Sequence, residues 1–172
     1  MTSFIDTHCH LDMLDSTPKE AVKHAKHEGV ESMVTISVNK ESFDFVSRTV
    51  MEFKDVFGSL GVHPHNAAEF SPSLEQTIRK IARENDKMIA IGETGLDYHY
   101  MNSSSEDQKN AFQKQLQIAN ELNLPVILHS RKAEADTIGI IKEIPLSALG
   151  VAHSFTSSLN MAKSLLDMGW YL

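Results

Sequence analysis

Residues 4–12 read FIDTHCHLD, and this stretch decides between the two folds that the rest of the chain permits. The apolar start has the composition of a β-strand entering a core. Side chains alternate faces along a strand, so His8 and His10 project to one side and Cys9 to the other. Two imidazoles about 7 Å apart along an extended backbone converge on a metal ion if the strand end curls. Packing of one histidine and solvation of the other is the plainer reading of such a pair. A doubly wound nucleotide-binding sheet would carry a glycine-rich phosphate loop after its first strand, where this chain has HCHLD. That substitution points instead to a (β/α)₈ barrel.

Outward from there, short apolar runs alternate with amphipathic stretches. Residues 31–37 (ESMVTIS), 56–64 (VFGSLGVHP), 88–97 (MIAIGETGLD, strand with its loop), 124–131 (LPVILHSR) and 149–155 (LGVAHSF) read as further strands. Between them, Thr17, Pro18 and Glu20 form a capping box that opens a helix ended by Gly29. Residues 40–53 carry helical spacing, and Ser71-Pro72 starts a helix with Leu74, Ile78, Ile81 and Ala82 on one face. Residues 105–123 form a long helix with Phe112, Leu116, Ala119 and Leu122 inward. A shorter helix follows the fifth strand, residues 158–169 form another, and Trp170-Tyr171-Leu172 opens a seventh strand. Apolar runs without polar alternation fit parallel strands covered on both faces. The expected architecture is one domain, residues 1–172, with about six βα units of a TIM-like barrel and the start of strand seven.

Composition is that of an ordinary globular chain: 172 residues, 23% charged and 41% hydrophobic. No apolar run has the length of a membrane span, and the N-terminus lacks signal-peptide character, so a cytoplasmic location without membrane association is expected. A single cysteine forms no intrachain disulfide. The net charge of −7 argues against a broad basic groove for long nucleic acid, while leaving room for a phosphate held locally by metal.

Nine histidines are present, and their placement matters more than their number. The expected C-terminal strand ends carry His8 and His10, Ser37, His63, Glu93, His129 and His153. Ligands bind at this rim in parallel α/β folds, because strand ends and following loops converge there. Any one of these histidines could be a packed core residue; their equivalent positions favour ligation. A buried, unpaired Glu93 would be costly, and bridging two cations removes that cost. His24 and His27 fall on a polar helix and read as solvated. His65 and His99 are loop residues for which either reading is open, and Cys9 reads as packed. Asp97 and Arg131, just past strand ends, can bind substrate or cap a loop. Imidazoles with a carboxylate suit zinc, manganese, iron or similar ions, in contrast to the all-oxygen cage that magnesium or calcium takes. Four or more ligands on a rim can hold two ions about 3.5–4 Å apart, an arrangement that activates water for hydrolysis.

FIDTHCHLD, GVHPH, AIGETGLDYH, QKNAFQKQLQIANELNLPVILHSR and HSFTSSLNMAKSLLDMGWYL, in this order, resemble the TatD family of metal-dependent hydrolases. The resemblance implies a barrel enzyme, chiefly a magnesium-dependent deoxyribonuclease, often a 3′-to-5′ exonuclease on DNA. It implies two divalent ions (magnesium, zinc or manganese), with His8, His10, Glu93, His129 and His153 as ligands. His63 then lies near the metals and helps hold the phosphate, and with Glu93 forms the catalytic pair. Asp97, Arg131 and His63 are the expected substrate contacts. Amidohydrolase-like cleavage of a small amide, lactone or phosphoester is the alternative. Two departures are visible: Ser157 stands where the family carries a glycine, and the family continues to an eighth strand whose aspartate completes the site. The expectation is therefore a short form of the barrel, able to bind metal with or without turnover. The full-length protein is expected to be a monomer, whereas unpaired sheet edges in a short chain favour self-association.

Overall fold

In the computed structural model, which describes residues 3–172, six strands form one parallel sheet in the order β1-β2-β3-β4-β5-β6. They are β1 (Phe4–Cys9), β2 (Val30–Ile36), β3 (Val56–Leu60), β4 (Met88–Asp97), β5 (Val126–Arg131) and β6 (Gly150–Ala152). Helices α1 (Pro18–His27), α2 (Lys40–Glu52), α3 (Pro72–Glu84), α4 (Ser105–Leu122), α5 (Glu134–Glu143) and α6 (Leu159–Asp167) alternate with them. The sheet curls into a partial barrel with the helices outside. Met1 and Thr2, where the expected domain begins, lie outside the described residues.

Alternation along the strands sorts two apolar layers. Met33, Ile91, Val126 and Leu128 pack outward with Phe43 and Val46 of α2, Ile78 of α3, Phe112 and Leu116 of α4 and Leu165 of α6. Val34, Ile36, Ala90 and Ile127, one step out of phase, form a smaller cluster on the inner face. Ile127 and His129 are two residues apart, so the inner layer leads directly to the rim. Burying a side chain such as Phe112 fully contributes about 1.5–3 kcal/mol, and this outer layer supplies most of that stabilisation.

The helix starts follow the cap chemistry. Thr17 and Glu20 make the reciprocal capping box, and Ser71 caps α3 ahead of Pro72. The opening of a seventh strand is present as a parallel bridge between Val151 and Tyr171, with Tyr171 N–H donating to the Gly150 carbonyl.

Three boundaries differ from expectation. β3 stops at Leu60, because Pro64 begins a 3₁₀ turn (Pro64–Glu69) for which His63 is the N-cap. β6 spans three residues, because Ser154 takes φ 46° and breaks the extended run. The largest difference concerns Glu93, which lies inside β4 and not at its end. The β4–β5 register shifts between Ile91 and Thr94 and then resumes with Gly95 opposite His129 and Asp97 opposite Arg131. Gly92 and Gly95 permit this with φ of +145° and +141°. A Cβ at Gly95 would lie 1.9 Å from the His129 carbonyl oxygen. Ser157, expected from the resemblance to stand at a glycine position, is not at positive φ; Ser154 takes that conformation in the turn after β6 instead.

Candidate metal centre

The curled sheet brings the expected residues to one rim. His8 is the penultimate residue of β1 with His10 just beyond the strand, His63 follows β3, Glu93 sits in the β4 irregularity, His129 is on β5, and His153 follows β6. Glu93 is 4% exposed and lies between them. Its Oε2 is 3.4 Å from His8 Nε2, and its Oε1 is 3.0 Å from His129 Nδ1 and 3.9 Å from His63 Nε2. His8 and His10 approach through their Nε2 atoms at 3.3 Å. His153 stacks on His8, ring centroids 3.3 Å apart.

Hydrogen bonds assign the protons. His10 Nδ1 donates to the Ile36 carbonyl at 3.2 Å, which leaves the Nε2 lone pair facing His8 and Glu93. His63 Nδ1 accepts the His65 N–H at 3.1 Å, so the neutral ring carries its proton on Nε2, toward Glu93. His8 Nδ1 is buried without a partner.

Electrostatics agree with this assignment. Burial pushes His63 down to about 3 and outweighs the pull of Glu93, so the ring is neutral at physiological pH. Burial would raise Glu93, but hydrogen bonds from His129 and His8, with His63 close by, hold its carboxyl well below the usual range. His129 is held above the usual imidazole range: burial opposes the shift, but the flanking Glu93 and Asp97 carboxylates prevail. His153 is lowered by burial and by His8.

Two groups of donor atoms come within 4.8 Å of one another: His8, His10 and Glu93, and His63, Glu93 and His129. The donor set fits divalent cations. His10 Nε2 and Glu93 Oε2 both lie within 3.4 Å of His8 Nε2, and the protons that His8 and His129 direct at Glu93 stand where cations could sit. His63 belongs to the second group by distance, yet its Nε2–H makes it a hydrogen-bond donor. His153, outside both groups, lines the same open cavity of about 400 Å³ with Glu93, His129, Arg131 and Thr156.

The remaining expectations sort as follows. His24 and His27 are exposed on α1. His65 does enter the site, with Nε2 3.2 Å from Asp97 Oδ2, whereas His99 is exposed and packs on Tyr100. Cys9 faces away, donating to the Val34 carbonyl, and burial, with Asp6 and Asp12 nearby, pushes its thiol up to about 12. Arg131 is exposed, with its guanidinium 4.8 Å from the Tyr100 ring centroid. Asp97 is fully buried, which removes it from direct contact with a substrate in the cavity.

Sequence reasoning missed Gln108 and Gln115 on α4. Gln108 binds both the N–H and the carbonyl of Asp97, and Gln115 does the same for Val62, next to His63. The available signal was two amides seven residues apart on the apolar stripe of a helix.

A parallel α/β partial barrel with histidines and a shared glutamate at its C-terminal rim has the architecture of the barrel metal-dependent hydrolases. The chain matches the family described as TatD related DNase over residues 5–172, and it belongs to that family. It is 34% identical over 170 residues to the uncharacterized metal-dependent hydrolase YabD of Bacillus subtilis, covering 97% of this chain and 66% of the relative. It is 36% identical over 157 residues to a protein of Pantoea vagans named 3′-5′ ssDNA/RNA exonuclease TatD, covering 90% of this chain and 60% of that one. The crystal structure of YjjV, a TatD homologue from Escherichia coli, superposes with a TM-score of 0.89 at 29% identity, covering 97% of this chain and 66% of YjjV. The chain thus spans between 60% and 66% of the length of these relatives. Among the described residues, no helix is long and apolar enough to cross a membrane.

Proposed function

We propose that the chain carries the metal-binding rim of a hydrolase that cleaves phosphodiester bonds at DNA ends. The observation that carries this reading is Glu93, one carboxylate shared between two clusters of imidazoles. His8 and His10 would hold one cation and His129 and His153 a second, with Glu93 common to both; magnesium, manganese and zinc are the ions to test. Divalent ions held there lower the pKa of water and neutralise charge on a phosphoryl oxygen.

The protein's own groups supply the rest. Glu93 stays anionic throughout the physiological range, so it retains its oxygens as acceptors. His63 is neutral, and its Nε2–H, aimed into the site, donates to a non-bridging phosphoryl oxygen. Arg131 stands at the cavity wall with its guanidinium against Tyr100, where it can pair with a phosphate. With a net charge of −7, attraction of the phosphate falls to these local groups. The relative named as a single-strand exonuclease supports DNA ends as the substrate.

Release of mononucleotides from an end-labelled single-stranded oligonucleotide tests the proposal. Release should require a divalent ion and cease in chelator; release that persists in chelator overturns the mechanism. The modest cavity of about 400 Å³ also favours a second reading, hydrolysis of a small amide, lactone or phosphoester. A panel of such substrates with the metal-loaded protein separates the two. Metal uptake with no turnover of either class would leave binding as the activity of this chain.

A further inference from the structure

We propose that Asp97 is a positioning residue that fixes which ring nitrogen of His129 faces Glu93. The inference rests on the reading of His129 as a metal ligand. Asp97 is the last residue of β4 and is fully buried, and both its oxygens are engaged. Oδ1 accepts the backbone N–H groups of His99 and Tyr100 at 2.9 and 3.0 Å. Oδ2 lies 3.0 Å from His129 Nε2 and 3.2 Å from His65 Nε2. No oxygen remains to contact a substrate.

A carboxylate only accepts, so both rings must present N–H to it. For His129 this places the retained proton on Nε2 and turns Nδ1, 3.0 Å from Glu93 Oε1, toward the rim. Nδ1 is then the ligating atom, and its basicity is raised by the carboxylate behind the ring.

The carboxylate is itself held firmly. Gln108 accepts the Asp97 N–H at 2.7 Å and donates to its carbonyl at 3.1 Å, while the β4–β5 register places Gly95 opposite His129. Asp97, two residues beyond Gly95, shares that face of the strand and reaches the His129 ring over a position with no side chain of its own.

The discriminating variant is Asp97→Asn, which is nearly isosteric. Its one carbonyl oxygen is needed for the His99 and Tyr100 N–H groups, so its NH₂ turns toward His129 and demands an acceptor there. The His129 proton then moves to Nδ1 and blocks the ligand position. A residue that merely caps the loop would tolerate this change.

Zinc affinity is measured by competition with a chromophoric chelator. The protonated ring nitrogen of His129 is read from long-range ¹H–¹⁵N correlations of the zinc-loaded wild type. We expect Asp97→Asn to bind zinc at least about tenfold more weakly, and the wild-type ring to carry its proton on Nε2. Unchanged zinc affinity in the variant, or a wild-type proton on Nδ1, overturns the inference. The wild-type spectrum decides the matter even if the variant does not fold. Wild-type protein that takes up no zinc overturns the metal-centre reading itself, and this inference with it.

Discussion

Gln115 pairs with Val62 as a neighbouring strand would. Its Oε1 accepts the Val62 N–H at 2.7 Å, and its Nε2 donates to the Val62 carbonyl at 3.1 Å. Nε2 also reaches Thr94 Oγ1 at 2.7 Å, so one side chain of α4 ties the segment after β3 to β4. Val62 immediately precedes His63, and the ring is aimed by the backbone that this amide holds.

Replacing Gln115→Leu therefore leaves a buried N–H and a buried carbonyl without partners. Each orphaned group costs about 1–3 kcal/mol, and a total loss of about 2–6 kcal/mol is expected in urea unfolding. A loss below about 1 kcal/mol would mean that water or a shifted backbone satisfies Val62.

The glycines of the sheet and the helices predict opposite signs. At Gly95 a Cβ would meet the His129 carbonyl oxygen at 1.9 Å in a backbone with φ of +141°, so Gly95→Ala should destabilise by at least about 2 kcal/mol. At Gly139, inside α5, a Cβ meets nothing within 4 Å. Gly139→Ala should stabilise by about 0.5–1 kcal/mol through helix propensity. Paired denaturation curves check both, and equal effects would contradict the β4–β5 packing described above.

Tyr98 and Asp136 form a pH-dependent tie between the end of β4 and α5. The Tyr98 hydroxyl donates to Asp136 Oδ2 at 2.7 Å, and Lys109 approaches the same oxygen at 2.6 Å. Hydrogen bonds from Lys109 and Tyr98 hold the Asp136 carboxyl below its ordinary range. Stability from this group is present above its unfolded value, near 3.9, and is lost as pH falls through the lower folded value. Burial and the Asp136 charge push the Tyr98 phenol above its ordinary range, so its contribution is present below about pH 10 and lost above. Asp136→Asn should thus cost stability near neutrality, and the difference from wild type should shrink below about pH 4. The carboxylate is 40% exposed, which limits the effect to under about 1 kcal/mol. A difference that persists unchanged at pH 3 would remove the ionic contribution.

What the sequence reveals of this architecture is what depends on neighbours in the chain. The Thr17–Glu20 capping box and the same-face pair His8 and His10 follow from spacings of three and two residues. Glu93 was legible as a site residue because a carboxylate in an apolar run is costly. Its position inside β4 was not, because the register shift depends on how closely β5 approaches Gly92 and Gly95. The roles of His65 and Asp97 were open for a similar reason. His65 reaches the site through the 3₁₀ turn begun by Pro64, and Asp97 is buried only because α4 lies over it and supplies Gln108. Separations of 11 residues for Gln108–Asp97 and 32 for His65–Asp97 leave no periodic trace.

His63 and His10 provide the sharpest division of labour at the rim. The His63 proton on Nε2 makes it a hydrogen-bond donor at the rim, the role the proposed function gives it toward a phosphoryl oxygen, whereas His10 turns an Nε2 lone pair inward because its Nδ1 serves the Ile36 carbonyl. Removing a donor aimed at developing charge costs about a hundredfold or more in turnover without disturbing the ions. His63→Ala should therefore retain the metal content of the wild type by elemental analysis and lose about a hundredfold in nucleotide release. His10→Ala should lose bound metal, and with it the rise in melting temperature that zinc gives the wild type by binding only the folded state. If His63→Ala loses metal as His10→Ala does, the ring is a ligand and its proton assignment is wrong. If His10→Ala keeps its full metal content, the β1 histidines do not form the first cluster.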